Sequence, residues 1–176
     1  MNKLGDVAKK PDGYQVIFER IYNHNIKTVW DALINPAKMS KWFTDVEMDF
    51  RPGGKITFIF QDEARSKSFG KIVSIVPEKL FEYIWENEED EGQDELARWE
   101  LFEEEPDVTR LVMTYSKLTD DLAISVSTGW HVVIDDLEAF LNGKTKFRDF
   151  GGSEPTESDK IIKQKYTELF SKIFNK

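Results

Sequence analysis

The chain has no cysteine, only 2 histidines and no long apolar run in its 176 residues. Without thiols there can be no disulfide and no thiol nucleophile, and a zinc site would need histidine and carboxylate ligands alone. The two histidines, His24 and His131, stand too far apart in sequence to nominate a metal centre without carboxylate help. No stretch approaches the ~20 apolar residues of a membrane span, and the opening MNKLGDVAKK lacks the apolar core of a secretory signal. A soluble, cytoplasmic protein is expected.

Basic patches are missing as well. The formal net charge is -9, which repels nucleic-acid phosphates unless a local basic patch intervenes. Lys160, Lys163, Lys165 and Lys172 are interleaved with Glu157, Asp159 and Glu168, the pattern of a solvated helix face. Nucleic acid is therefore not an expected partner. Phosphate loops and nucleophile elbows are absent too: no serine sits in Gly-x-Ser-x-Gly, and Gly53-Gly54 lies in a hairpin rather than at the start of a helix. The acidic stretch 87–94 lacks the ligand spacing of a calcium loop and reads as a solvated hairpin loop. No catalytic residue, metal or cofactor is nominated.

What the chain does have is aromatic surface: 13 Phe, 5 Trp and 5 Tyr. Aromatic rings bury large areas with little rotamer freedom to lose, so they suit both a thick core and the wall of a pocket. A chain of this length suits one domain, able to bury roughly 70% of the surface its unfolded form exposes.

Residues 1–13 are polar and end in Pro-Asp-Gly, so a flexible arm is expected there. Residues 14–22 read as a first strand. Its partial alternation leaves two registers open, one turning Phe18 and Arg20 inward and one turning Ile17, Glu19 and Ile21. His24 falls in the solvated turn that follows. Asn25 is a candidate cap for a short helix with Ile26, Val29, Trp30 and Leu33 on one side, and Pro36 opens a second short helix up to Trp42.

From residue 46 the period changes to two. Strands are expected over 46–50, 55–61, 69–76, 80–86, 95–103 and 109–116, with Phe81, Tyr83 and Trp85 on one face and Glu82 and Glu86 on the other. By the same alternation Ala97, Trp99 and Leu101 oppose Arg98, Glu100 and Phe102, and Leu111, Met113 and Tyr115 oppose Arg110, Val112 and Thr114. Such strands belong to a sheet wet on one side. Residues 118–125 read as a loop or as the first turn of a helix. Over 128–143, Trp130, Val133, Ile134, Leu137, Phe140 and Leu141 share one helix face, and Asn142-Gly143 stops it. A linker is expected over 144–155 and a last helix over 156–174, packed on the same domain.

This order gives an α+β fold: a curved antiparallel sheet of six to seven strands, two short helices after the first strand, a long helix laid across one face, and an extra C-terminal helix. A twisted sheet curls, and one helix does not fill its concavity. A cavity is expected, walled by Phe58, Phe60, Tyr83, Trp85, Trp99, Leu101, Met113 and Tyr115 and closed by Trp130, Ile134 and Leu137; the competing expectation is that these side chains meet and leave no void. His131, at the edge of the apolar helix face, is expected at the rim or outside, bonded to a neighbour or to water.

The runs TVWDALINPAKMSKWF, VEMDFRPGGKITFIF, GKIVSIVPEKLFEYIW, RWELF, TRLVMTYSKL and GWHVVIDDLEAFLNG, in order over residues 14–143, together resemble the branch of the START-like SRPBCC superfamily named for activators of the 90-kDa heat-shock chaperone's ATPase. KQKYTELF is similar to the tail of its bacterial single-domain members. The resemblance implies the helix-grip fold and a cavity that relatives use for lipids, polyketides or other apolar ligands. It implies no catalytic residue, because the family has no universal ones. Its best-known members act on the chaperone with an additional N-terminal domain, for which a chain of this length leaves no room. Three functions are therefore expected in order: a binding module for a lipid-like or aromatic small molecule, a protein-interaction or co-chaperone module, and a cyclase or hydrolase using the same cavity.

Overall fold

The alternation of apolar and polar residues is realised as one curved, open sheet. The computed structural model describes residues 2–86, 94–144 and 154–174. Among them the chain forms β1 (Asp6–Lys10), β2 (Gly13–Tyr22), α1 (Ile26–Ile34), α2 (Pro36–Met39), β3 (Asp45–Met48), β4 (Lys55–Ile59), β5 (Lys67–Val76), β6 (Leu80–Trp85), β7 (Glu95–Glu105), β8 (Val108–Leu118), α3 (Ala123–Leu141) and α4 (Glu157–Phe174). The strands lie in the order β1-β2-β8-β7-β6-β5-β4-β3, each antiparallel to its neighbour. A meander from β3 to β8 is thus extended by β2 and β1 at its far edge. The acidic loop and most of the linker expected at 144–155 lie outside the described residues.

The sheet has eight strands where six to seven were expected. In place of a flexible arm over residues 1–13, residues 6–10 pair with β2, setting Val7 opposite Val16 and Lys10 opposite Gly13. The reversal needs Gly13, whose φ is +128° and whose missing Cβ would lie 2.5 Å from the Leu118 carbonyl oxygen. Asn2 then reaches α3, its amide donating to Asp135 at 2.8 Å and to Glu138 at 2.7 Å. Backbone pairing and these polar anchors hold a segment whose composition carries little apolar signal.

In β2, Tyr14, Val16, Phe18, Arg20 and Tyr22 are all buried, so the register that turns Arg20 inward is the one adopted. Both short helices start on asparagine caps. The Asn25 side chain accepts from Thr28 N–H at 3.0 Å, and the Asn35 side chain accepts from Ala37 N–H at 3.1 Å with Pro36 in the first turn. The chain then leaves α2 through Trp42, whose indole donates to the Ala32 carbonyl at 3.0 Å and ties the turn back to α1.

Helix α3 begins at Ala123, five residues before the expected start, so residues 118–125 contain its first turn. It stops as expected: Gly143 follows at φ +73°. Helix α4 opens with a reciprocal cap in which Asp159 N–H donates to the Thr156 hydroxyl and Thr156 N–H donates to the Asp159 carboxylate. It lays Ile162, Tyr166 and Phe170 against the rest of the chain, and Phe170 meets Tyr14 edge-on at 5.8 Å. The buried apolar residues form one continuous core from Tyr14 to Phe170.

Candidate functional site

The long helix delivers Trp130 to the middle of an aromatic cluster. Its ring lies 5.1 Å from Tyr115, 5.5 Å from Phe43, 5.6 Å from Trp99 and 6.2 Å from Trp85. These partners come from three neighbouring strands and from the turn after α2. The strands can supply them because period two sets Tyr83 opposite Ala97, and Ala97 opposite Tyr115, across β6, β7 and β8. Farther along the sheet Phe58 of β4 stacks on Trp85 at 4.1 Å with the planes 11° apart, and Phe60 borders Trp85 at 6.4 Å. Phe58, Tyr83, Trp99, Tyr115 and Trp130 are buried, whereas Phe60 and Trp85 are only half-buried. The cluster therefore opens to solvent at its Phe60–Trp85 end.

Seven of the eleven expected wall residues are joined by these ring contacts: Phe58, Phe60, Tyr83, Trp85, Trp99, Tyr115 and Trp130. Leu101, Met113, Ile134 and Leu137 are buried in the same core. The rings stand in mutual contact along the row, so a guest would have to spread or displace them, most readily where Trp85 and Phe60 are already part exposed. Two aromatic members were not expected at the site. Trp42 packs edge-on to Trp99 at 6.2 Å and Phe43 tilts onto Phe58 at 5.8 Å; adjacent aromatics directly after a capped helix were the available signal.

One acid joins the rings. Glu95, opposite Trp85 at the start of β7, accepts a hydrogen bond from the Tyr115 hydroxyl. Burial pushes the Glu95 carboxyl above its ordinary value, and the Tyr115 hydrogen bond offsets only part of that rise. Burial and the neighbouring Glu95 charge raise the Tyr115 phenol well above its usual range, so it remains a donor at neutral pH. Glu95 was missed in the sequence. It has the same parity as Ala97, Trp99 and Leu101, so the alternation itself points it inward.

A second polar group lies on another side of α3. His131 is fully buried rather than at a rim: its Nδ1 is 3.1 Å from the Tyr166 hydroxyl, which also accepts from Gly5 N–H at 2.8 Å. Its Nε2 lies 3.5 Å from Asp135, and Arg20 Nη2 lies 3.6 Å from the other oxygen of that carboxylate. Burial would raise the Asp135 carboxyl, but His131, the Asn2 amide and the Arg20 charge hold it below the usual carboxylate range. The group binds α3, α4, β2 and the N-terminal segment into one unit. His24 is half-buried in the turn after β2, its Nε2 3.3 Å from the Asn142 side-chain oxygen.

Near the β5–β6 turn is a groove of about 620 Å³, with Ile26, Val76, Leu80, Leu101 and Phe102 along it and Glu78, Glu100 and Glu103 at its sides. Among the described residues no group of three histidine, aspartate or glutamate side chains could hold a metal ion, and no helix is long and apolar enough to cross a membrane.

Comparison with known proteins gives the same architecture. The sequence model described as activator of Hsp90 ATPase homolog 1-like protein matches residues 23–142. CalU16 from Micromonospora echinospora superposes with a TM-score of 0.73 at 20% identity, over 97% of this chain and 95% of CalU16. A conserved protein of unknown function from Enterococcus faecalis gives 0.74 at 17% identity, over 96% of this chain and 91% of its own. The Mesorhizobium loti protein MLL2253 gives 0.64 at 19% identity, over 73% of this chain and 97% of its own. At such identities these structures establish the fold alone. No curated protein matches the sequence.

Proposed function

Because the chain belongs to the family of activator of Hsp90 ATPase homolog 1-like proteins, a helix-grip fold whose buried aromatic cluster fits a ligand-binding module, we propose that it binds a lipid-like or aromatic small molecule between the sheet and α3. The observation that carries this reading is the Phe58–Trp85 stack, part exposed at Trp85 and continuous with Trp130. A stacked pair with one half-wet member is a ready platform for an apolar guest, which would replace solvent on Trp85 and sit among rings that already exclude water.

The test is a titration of the purified protein with a panel of medium-chain alcohols, fatty acids and naphthalene derivatives, read by tryptophan fluorescence and melting temperature. At least one class is expected to bind saturably, change the emission, and raise the melting temperature by mass action. Trp85→Ala should weaken that ligand roughly tenfold, the equivalent of about 1.4 kcal/mol. A panel that moves neither signal overturns the proposal.

A second reading follows from the groove near the β5–β6 turn. The family's name links its relatives to the Hsp90 ATPase, and a groove lined by apolar residues together with Glu78, Glu100 and Glu103, against the single cation Lys79, suits a basic amphipathic segment of such a chaperone. Phe102 is 39% exposed on that surface. Phe102→Asp should abolish binding to a purified Hsp90-type chaperone measured by surface plasmon resonance; no binding by the unaltered protein rejects this reading.

A further inference from the structure

The acid inside the aromatic cluster bears on the kind of ligand. Glu95 lies on the inward face of β7, directly across from Trp85 of β6, and its carboxylate is held by the Tyr115 hydroxyl. Tyr115 in turn lies 5.1 Å from the Trp130 ring, which lies 6.2 Å from Trp85. A carboxylate held by a phenol, and set directly across the strand pair from an indole, presents negative charge on the same sheet face as the negative faces of π-systems. That pairing favours an organic cation: the charge is met by the carboxylate, and the carbon beside it is met by ring faces. Neutral guests gain only the apolar half of this arrangement, and anions meet repulsion.

Resting on the binding reading above, we propose that the ligand carries a basic nitrogen, and that the site takes a primary or secondary amine as its ammonium form, paired with Glu95 and laid against Trp85, with its apolar body among Phe58, Phe60 and Trp130. Burial raises the Glu95 carboxyl above its ordinary value, and a paired ammonium offsets that penalty. At neutral pH a primary or secondary alkylamine arrives as ammonium, so the bound pair is carboxylate and ammonium with no proton transferred between them. Tyr115 keeps its hydrogen bond to Glu95 throughout and so fixes the carboxylate as a positioning residue. The net charge of -9 adds a long-range attraction for cations.

The experiment compares octylamine, octanol and octanoate, which share one apolar body and differ in charge at pH 7, by tryptophan fluorescence with the full chain. Octylamine is expected to bind at least tenfold more tightly than octanol, and octanoate most weakly. Glu95→Gln, shown folded by its circular dichroism, is expected to lose the preference for the amine over octanol. Trp85→Leu, which leaves the carboxylate in place, should weaken octylamine more than octanol and serves if Glu95→Gln fails to fold. Equal binding of amine and alcohol overturns the inference while leaving the binding reading intact. An amine preference that survives Glu95→Gln also overturns it, since the cation is then held by the acidic surface. Binding of none of the three overturns the inference, and the binding reading as well when the full panel moves neither signal.

Discussion

Replacing Trp130 with alanine is expected to lower the unfolding free energy by about 3–5 kcal/mol, the range for removing a buried large aromatic side chain. The indole is 5% exposed and touches rings from β6, β7, β8 and the turn after α2. Those partners cannot close the space, because three of them are fixed by strand pairing. The cost therefore combines lost transfer free energy with a cavity. For a chain of this size the melting temperature should fall by roughly 6–20 °C. Denaturant unfolding with an unchanged m-value would assign the loss to the native state. Phe102→Ala, on the opposite face of the sheet, is the control and should cost no more than about 1 kcal/mol. Comparable losses for the two would mean that Trp130 is not central to the core.

Asp135→Ala is expected to cost about 3 kcal/mol, at the low end of what breaking a buried ion pair costs because the carboxylate retains some solvent contact. The loss is large because it strands Arg20, which is 7% exposed and has no other carboxylate within ion-pair distance among the described residues, and removes one of the two acceptors of the Asn2 amide. Arg20→Met together with Asp135→Leu should cost less than the sum of the single changes, because the pair is removed with its desolvation penalty. The pH dependence has a definite sign. Asp135 titrates below the usual carboxylate range in the folded chain, so its contribution is fully present above the unfolded value near ~4 and disappears as pH falls through the lower folded value. Glu95 acts in the opposite direction: its raised folded value gives a contribution present below ~4.3 and lost as pH rises through that folded value. Stability profiles of the two single variants should therefore deviate from the parent with opposite slopes in the acid range.

The sheet was legible because most strands alternate cleanly, and the end of α3 because Asn142-Gly143 terminates an apolar face. Of the residues that meet around Trp130, the strand residues Trp85, Trp99 and Tyr115 could be named from those two periods, whereas Phe43, in the turn after α2, lies outside both. Three further features could not be read this way. Strand β1 carries two small apolar side chains, Val7 and Ala8, among charged ones, and it exists through backbone pairing with β2 and the contacts of Asn2 with α3, neither of which leaves a local pattern. His131 lies beside an apolar stripe in the helix period, but α4, thirty-five positions later at Tyr166, covers the other side of α3 and buries it. Arg20 was undecided because both faces of β2 carry apolar residues, and Ile21 on the outer face is 54% exposed. Glu95 is a different case: its parity was readable, but a charged side chain ordinarily faces solvent, and the Tyr115 hydroxyl that holds it inward comes from the neighbouring strand. Whether inward rings enclose space or fill it depends on side-chain packing across four strands and a helix, which no local period encodes.

The most direct test of the binding account is a two-dimensional NMR titration that follows the indole N–H signals of the 5 tryptophans as the tightest ligand of the panel is added. The account predicts that Trp85 and Trp130 shift most and saturate together, while Trp30, on α1 and outside these ring contacts, moves least. Unmoved Trp85 and Trp130 signals under saturating ligand, or a response centred on Trp30, would contradict it.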